Sequence, residues 1–223
     1  MRTLQRWKSF WDHQVTPLHR YNNDFWYRLY AEELNLIIRS TGFSGGAVLE
    51  TGCGNGALFE YLTFPMDKYM GVDISTSLLN IFKDRHPDIE LVNADASSFC
   101  SDNKYSLIFS NGVIQYFDTV MLKRYLMNSF DMLESSGILL IANILWKDQR
   151  GIFYSGELSV SPTVGILNFV KGIIKSRFKH SDSMGNWYNP RDFIALKKDK
   201  FEAIVYGSLF HPYRFSIVLK KRI

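Results

Sequence analysis

The stretch "AVLETGCGNG", residues 47–56, sets three glycines on alternate positions behind a short apolar run that ends in an acid. Where a chain leaves a strand and turns sharply, its backbone comes close to a ligand only if side chains are missing, and Gly52, Gly54 and Gly56 supply that bareness. The next apolar run ends in "GVDIS", whose Asp73 stands twenty-one residues after Gly52, the distance at which a carboxylate takes up a ribose diol. The glycine spacing is G-x-G-x-G, not the G-x-G-x-x-G of a pyrophosphate-binding turn. The pair of signals therefore indicates an adenosine-type ribose and leaves open the group attached at its 5′ carbon.

Outward from this stretch, strand-like and helix-like patterns alternate. "AVLE" (47–50), "YMGVDI" (69–74), "IELVNA" (89–94), "YSLIFS" (105–110) and "GILLIANIL" (137–145) are short and continuously apolar, as strands covered on both faces should be. Helical patterns fall at 56–64, 76–85 and 118–134, the last with Val120, Leu122, Tyr125, Leu126, Phe130 and Leu133 at helical spacing. That order predicts a parallel sheet with crossover helices. "FEAIVYGSLF" (201–210) and "FSIVLKK" (215–221) are joined by only "HPYR", too short for a crossover, so the chain ends in an antiparallel hairpin. A further helix starts at "NPRDF", with Asn189 as N-cap and Pro190 in the first turn.

With 223 residues, 46% of them hydrophobic, the chain can bury one sizeable core, and 1–223 reads as a single domain. A formal charge of +4 is too small to imply a nucleic-acid partner. Cys53 and Cys100 have no metal-site or redox spacing, so we expect free thiols, no metal, and a cytoplasmic location. No apolar run is long enough to span a bilayer, and the first residues do not read as a signal peptide.

On these residues the sequence resembles the class I S-adenosylmethionine-dependent methyltransferases over roughly 43–145 and 186–223. The resemblance implies a Rossmann-like α/β fold: a seven-stranded sheet, mostly parallel with an antiparallel C-terminal hairpin strand, and helices on both faces. It implies S-adenosyl-L-methionine as cofactor. "LETGCGNG" then places Glu50, Gly52, Cys53, Gly54 and Gly56 around the methionine end, Asp73 with Ile74 at the ribose, and Asp95 with Ala96 of "NADASSF" at the adenine amino group. "SNGVIQYF" (110–117), with Asn111 and Tyr116, resembles the segment that faces the sulfonium and the acceptor.

The acceptor itself is weakly specified. The expected activity is O-methylation of a sugar, a lipid-linked compound or another secondary metabolite. Tyr116 and His180 are the catalytic candidates, and His13, His19 and His211 also fall in segments that could border the acceptor, whereas His86 reads as surface. Residues 1–42 are expected to form an N-terminal helical lid with Tyr21 over the cofactor, and 146–188 an insertion covering the acceptor. Within it, 165–180 carries an apolar stripe (Ile166, Val170, Ile173, Ile174, Phe178) beside Lys171, Lys175 and Lys179, which suits an anionic or amphiphilic acceptor or peripheral membrane contact. Three readings compete. A nucleic-acid methyltransferase usually carries a Pro-Pro-aromatic segment where this chain has "SNGVIQYF"; a non-catalytic cofactor-binding protein should show erosion at the glycines or Asp73; and a nicotinamide oxidoreductase conflicts with the glycine spacing and the hairpin.

Overall fold

In the computed structural model, which describes residues 9–12, 24–155, 170, 174, 181–182, 184–195 and 201–221, the apolar runs become strands. They are β1 (Ala47–Thr51), β2 (Lys68–Asp73), β3 (Glu90–Asn93), β4 (Tyr105–Asn111) and β5 (Leu133–Leu145). Two short strands, β6 (Ser181–Asp182) and β7 (Gly185–Asn186), pair as a separate hairpin. The chain closes with β8 (Phe201–Gly207) and β9 (Arg214–Lys221). The main sheet has seven strands in the order β3-β2-β1-β4-β5-β9-β8. Strands β3 to β5 along this order pair in parallel, while β9 is antiparallel to both β5 and β8; the link between β8 and β9, residues 208–213, is too short for a crossover and fixes the second of these pairings. The strand order reverses between β1 and β4, and the crevice beyond their carboxyl ends is where such sheets bind ligands.

Two apolar layers cover the sheet. On one face helix α1 (Asp24–Ser40) buries Leu34, Ile37 and Ile38, and α2 (Thr76–Arg85) buries Leu79 and Phe82, against Val48, Tyr69, Leu107, Phe109 and Leu140. On the other, α3 (Thr119–Met132) packs Leu122, Tyr125, Leu126 and Phe130 against Leu49, Ile108, Leu139, Ile141 and Ile217, joined by Phe193 of α5 (Pro190–Ile194), the short α4 (Arg150–Ser155) lying between them in the chain. Three of these helices start on a local cap. The Ser75 hydroxyl accepts from Leu78 N–H, Asp118 accepts from Met121 N–H, and Asn189 with Asp192 forms a reciprocal capping box ahead of Pro190.

The helix expected over 56–64 is absent; that stretch holds only a 3-10 turn, Phe59–Tyr61. Gly56 stands at a φ of 73°, which cannot begin an α-helix, and only a short chain with Pro65 remains before β2. The segment is instead fastened through Asn35 of α1, whose amide donates to Tyr61 O and accepts from Thr63 N–H at 2.9 and 3.0 Å. Its Phe59 ring sits 5.5 Å from Phe82 and 4.7 Å from Tyr69. α1 takes the place on the sheet that the missing crossover helix would have filled. Val120, expected on the apolar stripe of α3, is 73% exposed and stands outside the core.

Phe82 joins α2, the turn segment and Gly56, and it is fully buried. Phe82→Ala should cost about 3–5 kcal/mol, read as a shifted urea midpoint; an unchanged midpoint would mean that the 57–64 segment does not rest on it.

Candidate active site

The loop after β1 is folded over the end of β2. Gly52 N–H and Cys53 N–H both donate to Val72 O, at 2.6 and 3.2 Å, and Gly54 N–H donates to Asp73 Oδ2 at 2.9 Å. Asp73 Oδ1 accepts from Ser75 N–H at 2.8 Å, so the carboxylate is clamped by the backbone on both sides. Each oxygen keeps a further lone pair for an incoming hydroxyl. Burial holds the Asp73 carboxyl above its usual range, opposed by N–H bonds from Ser75, Gly54 and Ile74, with Asp12 adding to the rise.

The three glycines do different work. All have positive φ, at 80°, 56° and 73° for Gly52, Gly54 and Gly56. A Cβ on Gly52 would lie 2.2 Å from Val113 Cγ2, and one on Gly56 would lie 2.4 Å from the Phe82 ring, so both are required by protein packing. Among the described residues, a Cβ on Gly54 would meet only Leu78 Cδ1 at 3.9 Å. Of the three glycines, it is Gly54 whose backbone faces open space among the described residues. Gly112, next after Asn111 at the end of β4, also faces open space, with nothing among the described residues within 4 Å of its Cβ position. As a lone glycine it carries no spacing signal that the sequence could reveal.

Glu50 lies beneath the loop, 1% exposed, and accepts a short hydrogen bond from the Tyr69 hydroxyl. Burial raises its pKa to about 7, against the pull of the Tyr69 bond and with a further push from Asp73. Cys53 is buried beside both acids, and burial first, then Glu50 and Asp73, drive its thiol well upward. A thiol so held is neutral and inert as a nucleophile. Ile74 is half-buried next to Asp73. Asp95 is engaged within its own turn: it accepts from Ser97 N–H and Oγ, both at 2.8 Å, and from Ser98 Oγ at 3.1 Å, with Arg124 Nη2 at 3.6 Å and Ala96 buried beside it.

Across the crevice, Asn111 Oδ1 accepts from Asn143 Nδ2 at 2.8 Å, and the Gln115 amide donates to the Tyr116 hydroxyl at 2.9 Å. Tyr116 is half-buried, and Trp11 meets its ring edge-on at 5.7 Å. The 9–12 helical turn that carries Trp11 is tied to the start of α2: Ser75 Oγ and Ser77 Oγ donate to the carbonyls of Trp11 and Asp12, at 3.3 and 3.1 Å. Trp11 thus bridges the Asp73 side and the Tyr116 side. Within 1–42, α1 is a layer of the core, and among the described residues it is 9–12 that reach the site. Tyr21, His13, His19 and His180 lie outside the described residues, as do Lys171, Lys175 and Lys179; Val170 and Ile174 are about half exposed. The far end of the 146–188 segment is pinned to the site, since a Cβ on Gly185 would sit 2.4 Å from Gln115 O and the Tyr188 hydroxyl donates to Phe117 O. His211 is buried between Tyr30 Oη at 3.0 Å and Tyr213 Oη at 3.4 Å and stacks on Trp26.

Residues 48–137 match the family model of a methyltransferase domain. A malonyl-[acyl-carrier protein] O-methyltransferase of Ilyobacter polytropus is 32% identical over 79 residues, 33% of this chain and 30% of that protein. Among solved structures, an S-adenosylmethionine-dependent methyltransferase from Clostridium acetobutylicum aligns with a TM-score of 0.68 at 14% identity over 99% of both chains. The N-methyltransferase NodS from Bradyrhizobium japonicum, in complex with S-adenosyl-L-homocysteine, aligns with a TM-score of 0.65 at 15% identity, again over 99% of both chains. Residues 48–137 thus resemble a methyltransferase domain, and the chain has the fold of these solved S-adenosylmethionine-dependent methyltransferases. The matched segments span about a third of the length of the curated relatives.

Asn tolerates a positive φ, so Gly54→Asn should leave the melting temperature nearly unchanged while weakening S-adenosylhomocysteine binding at least about tenfold; Gly56→Ala should instead cost about 1–3 kcal/mol of stability. The opposite pattern would reverse the assignment of the two positions. Because Glu50 binds its proton more tightly folded than unfolded, its contribution opposes folding as pH rises. Stability should fall by up to about 3 kcal/mol from pH 4.5 to beyond 7, and Glu50→Gln should remove most of that slope in urea titrations at pH 5 and 8.

Proposed function

We propose that this protein transfers the methyl group of S-adenosyl-L-methionine to an oxygen of a small-molecule acceptor in a reducing, cytoplasmic setting that suits its two free cysteines. The observation that carries the reading is the Asp73 carboxylate, clamped by Gly54 and Ser75 N–H groups at the edge of the open space over Gly54. The residues present fit the cofactor. Asp73, with Ile74 beside it, accepts the ribose hydroxyls. Asp95 and Ala96 border the adenine, the 52–56 backbone and Asn111 border the methionine end, and Glu50 beneath the loop adds negative charge near neutral pH. When bound, S-adenosylmethionine supplies an electrophilic methyl carbon on a sulfonium.

The chain's own work is alignment and exclusion of water. The Gln115 amide holds the Tyr116 hydroxyl, burial keeps that phenol protonated, and a protonated phenol can orient an acceptor oxygen by donating to it. Trp11, bound at the start of α2 and against Tyr116, supports the reading that residues 9–12 cover the crevice. Residues 184–188, fastened to Gln115 and Phe117, form part of the acceptor-side wall. The similarity to an enzyme named for O-methylation of malonyl-[acyl-carrier protein] supports oxygen as the acceptor atom.

Asp73→Ala should lose about 1.5–3 kcal/mol of S-adenosylmethionine binding, roughly 10- to 150-fold by calorimetry. Unchanged affinity in a variant that melts cooperatively would remove Asp73 from the ribose and the reading with it.

A further inference from the structure

Arg214 opens β9 and is only 8% exposed. Its Nη1 donates to Asn143 O at 2.6 Å and to Gln115 Oε1 at 3.3 Å, and the guanidinium lies 5.9 Å from the centroid of the Tyr213 ring. Nε and Nη2 meet no acceptor, and no carboxylate lies within 4.0 Å of the group, among the described residues. Glu33 feels its field, but the Glu33 carboxylate is taken by Leu209 N–H at 2.7 Å and Ser208 Oγ at 3.2 Å.

A cation this deeply buried is costly unless a counter-charge reaches it. The backbone around it is also strained to hold it. Asn143, at a φ of 58°, sits where the β5–β9 register shifts between Ile141 and Ile144, and from there its carbonyl meets Arg214 while its amide holds Asn111. Both protein acceptors fall on Nη1. The edge formed by Nε and Nη2 is left, and that planar edge matches the two oxygens of a carboxylate.

Resting on the methyltransferase reading above, we propose that Arg214 is the binding site for a carboxylate carried by the acceptor, held beside Gln115 and Tyr116. The acceptor class is then a small carboxylic acid, recognised through its ionised group by a residue of the C-terminal hairpin rather than of the cofactor loop.

The probe is succinate, with its uncharged counterpart succinamide as control, titrated into the protein saturated with S-adenosylhomocysteine and measured by calorimetry and melting temperature. Wild-type protein should bind succinate and not succinamide. Arg214→Gln and Gln115→Glu should each weaken succinate binding at least about tenfold while S-adenosylhomocysteine affinity stays within about twofold. Gln115→Glu places a carboxylate beside Nη1, so it should hold or raise the melting temperature and separate a lost site from a lost fold. Equal response to succinate and succinamide, or undiminished succinate binding in both variants, would overturn the proposal. If the wild type fails to bind S-adenosylhomocysteine, the methyltransferase reading falls instead, and the same titration without it decides Arg214 alone.

Discussion

The hydrogen bond from Gly54 N–H to Asp73 ties the loop after β1 to the end of β2, and most of the site depends on that tie. It fixes the one glycine of the loop whose backbone faces open space next to the carboxylate at its edge. The neighbouring glycines let the loop lie flat, Gly52 under Val113 of the post-β4 segment and Gly56 under Phe82 of α2. Through these contacts the loop is held by two other parts of the chain, and the start of α2 in turn carries Ser75 and Ser77, which anchor the 9–12 turn and Trp11.

Beneath and beside the loop, burial concentrates groups that prefer to be neutral. Glu50, Cys53 and Asp73 are each pushed upward in pKa, and the acids raise the thiol further. Such a cluster costs stability and is relieved by nearby positive charge. On the opposite side of the crevice Arg214 is a buried cation without a carboxylate within 4.0 Å among the described residues.

The seven strands of the main sheet, the antiparallel hairpin, the helices after β2 and β4 and the helix capped by Asn189 are legible in the sequence because each rests on a local rule: continuous apolar runs, a link too short for a crossover, helical spacing of apolar residues, a capping side chain. The stretch 56–64 has apolar residues at helical spacing and yet forms no helix, because the positive φ of Gly56 and the fastening by Asn35 come from tertiary packing. Gly52, Gly54 and Gly56 look alike in the sequence for the same reason, since only the folded chain shows which of them meets Val113, Phe82 or open space. Asn143 and Arg214 carry no sequence signal. They are brought to the site by a shift in strand register and the start of the last strand, and spacing along the chain encodes neither.

A crystal structure of the protein grown with S-adenosylhomocysteine tests the central claim most directly. The account predicts both ribose hydroxyls within hydrogen-bond distance of Asp73 and the homocysteine moiety lying over Gly54, with the Gly54–Asp73 bond retained. Ligand density elsewhere, or a ribose turned away from Asp73 with the space over Gly54 left to water, would contradict it.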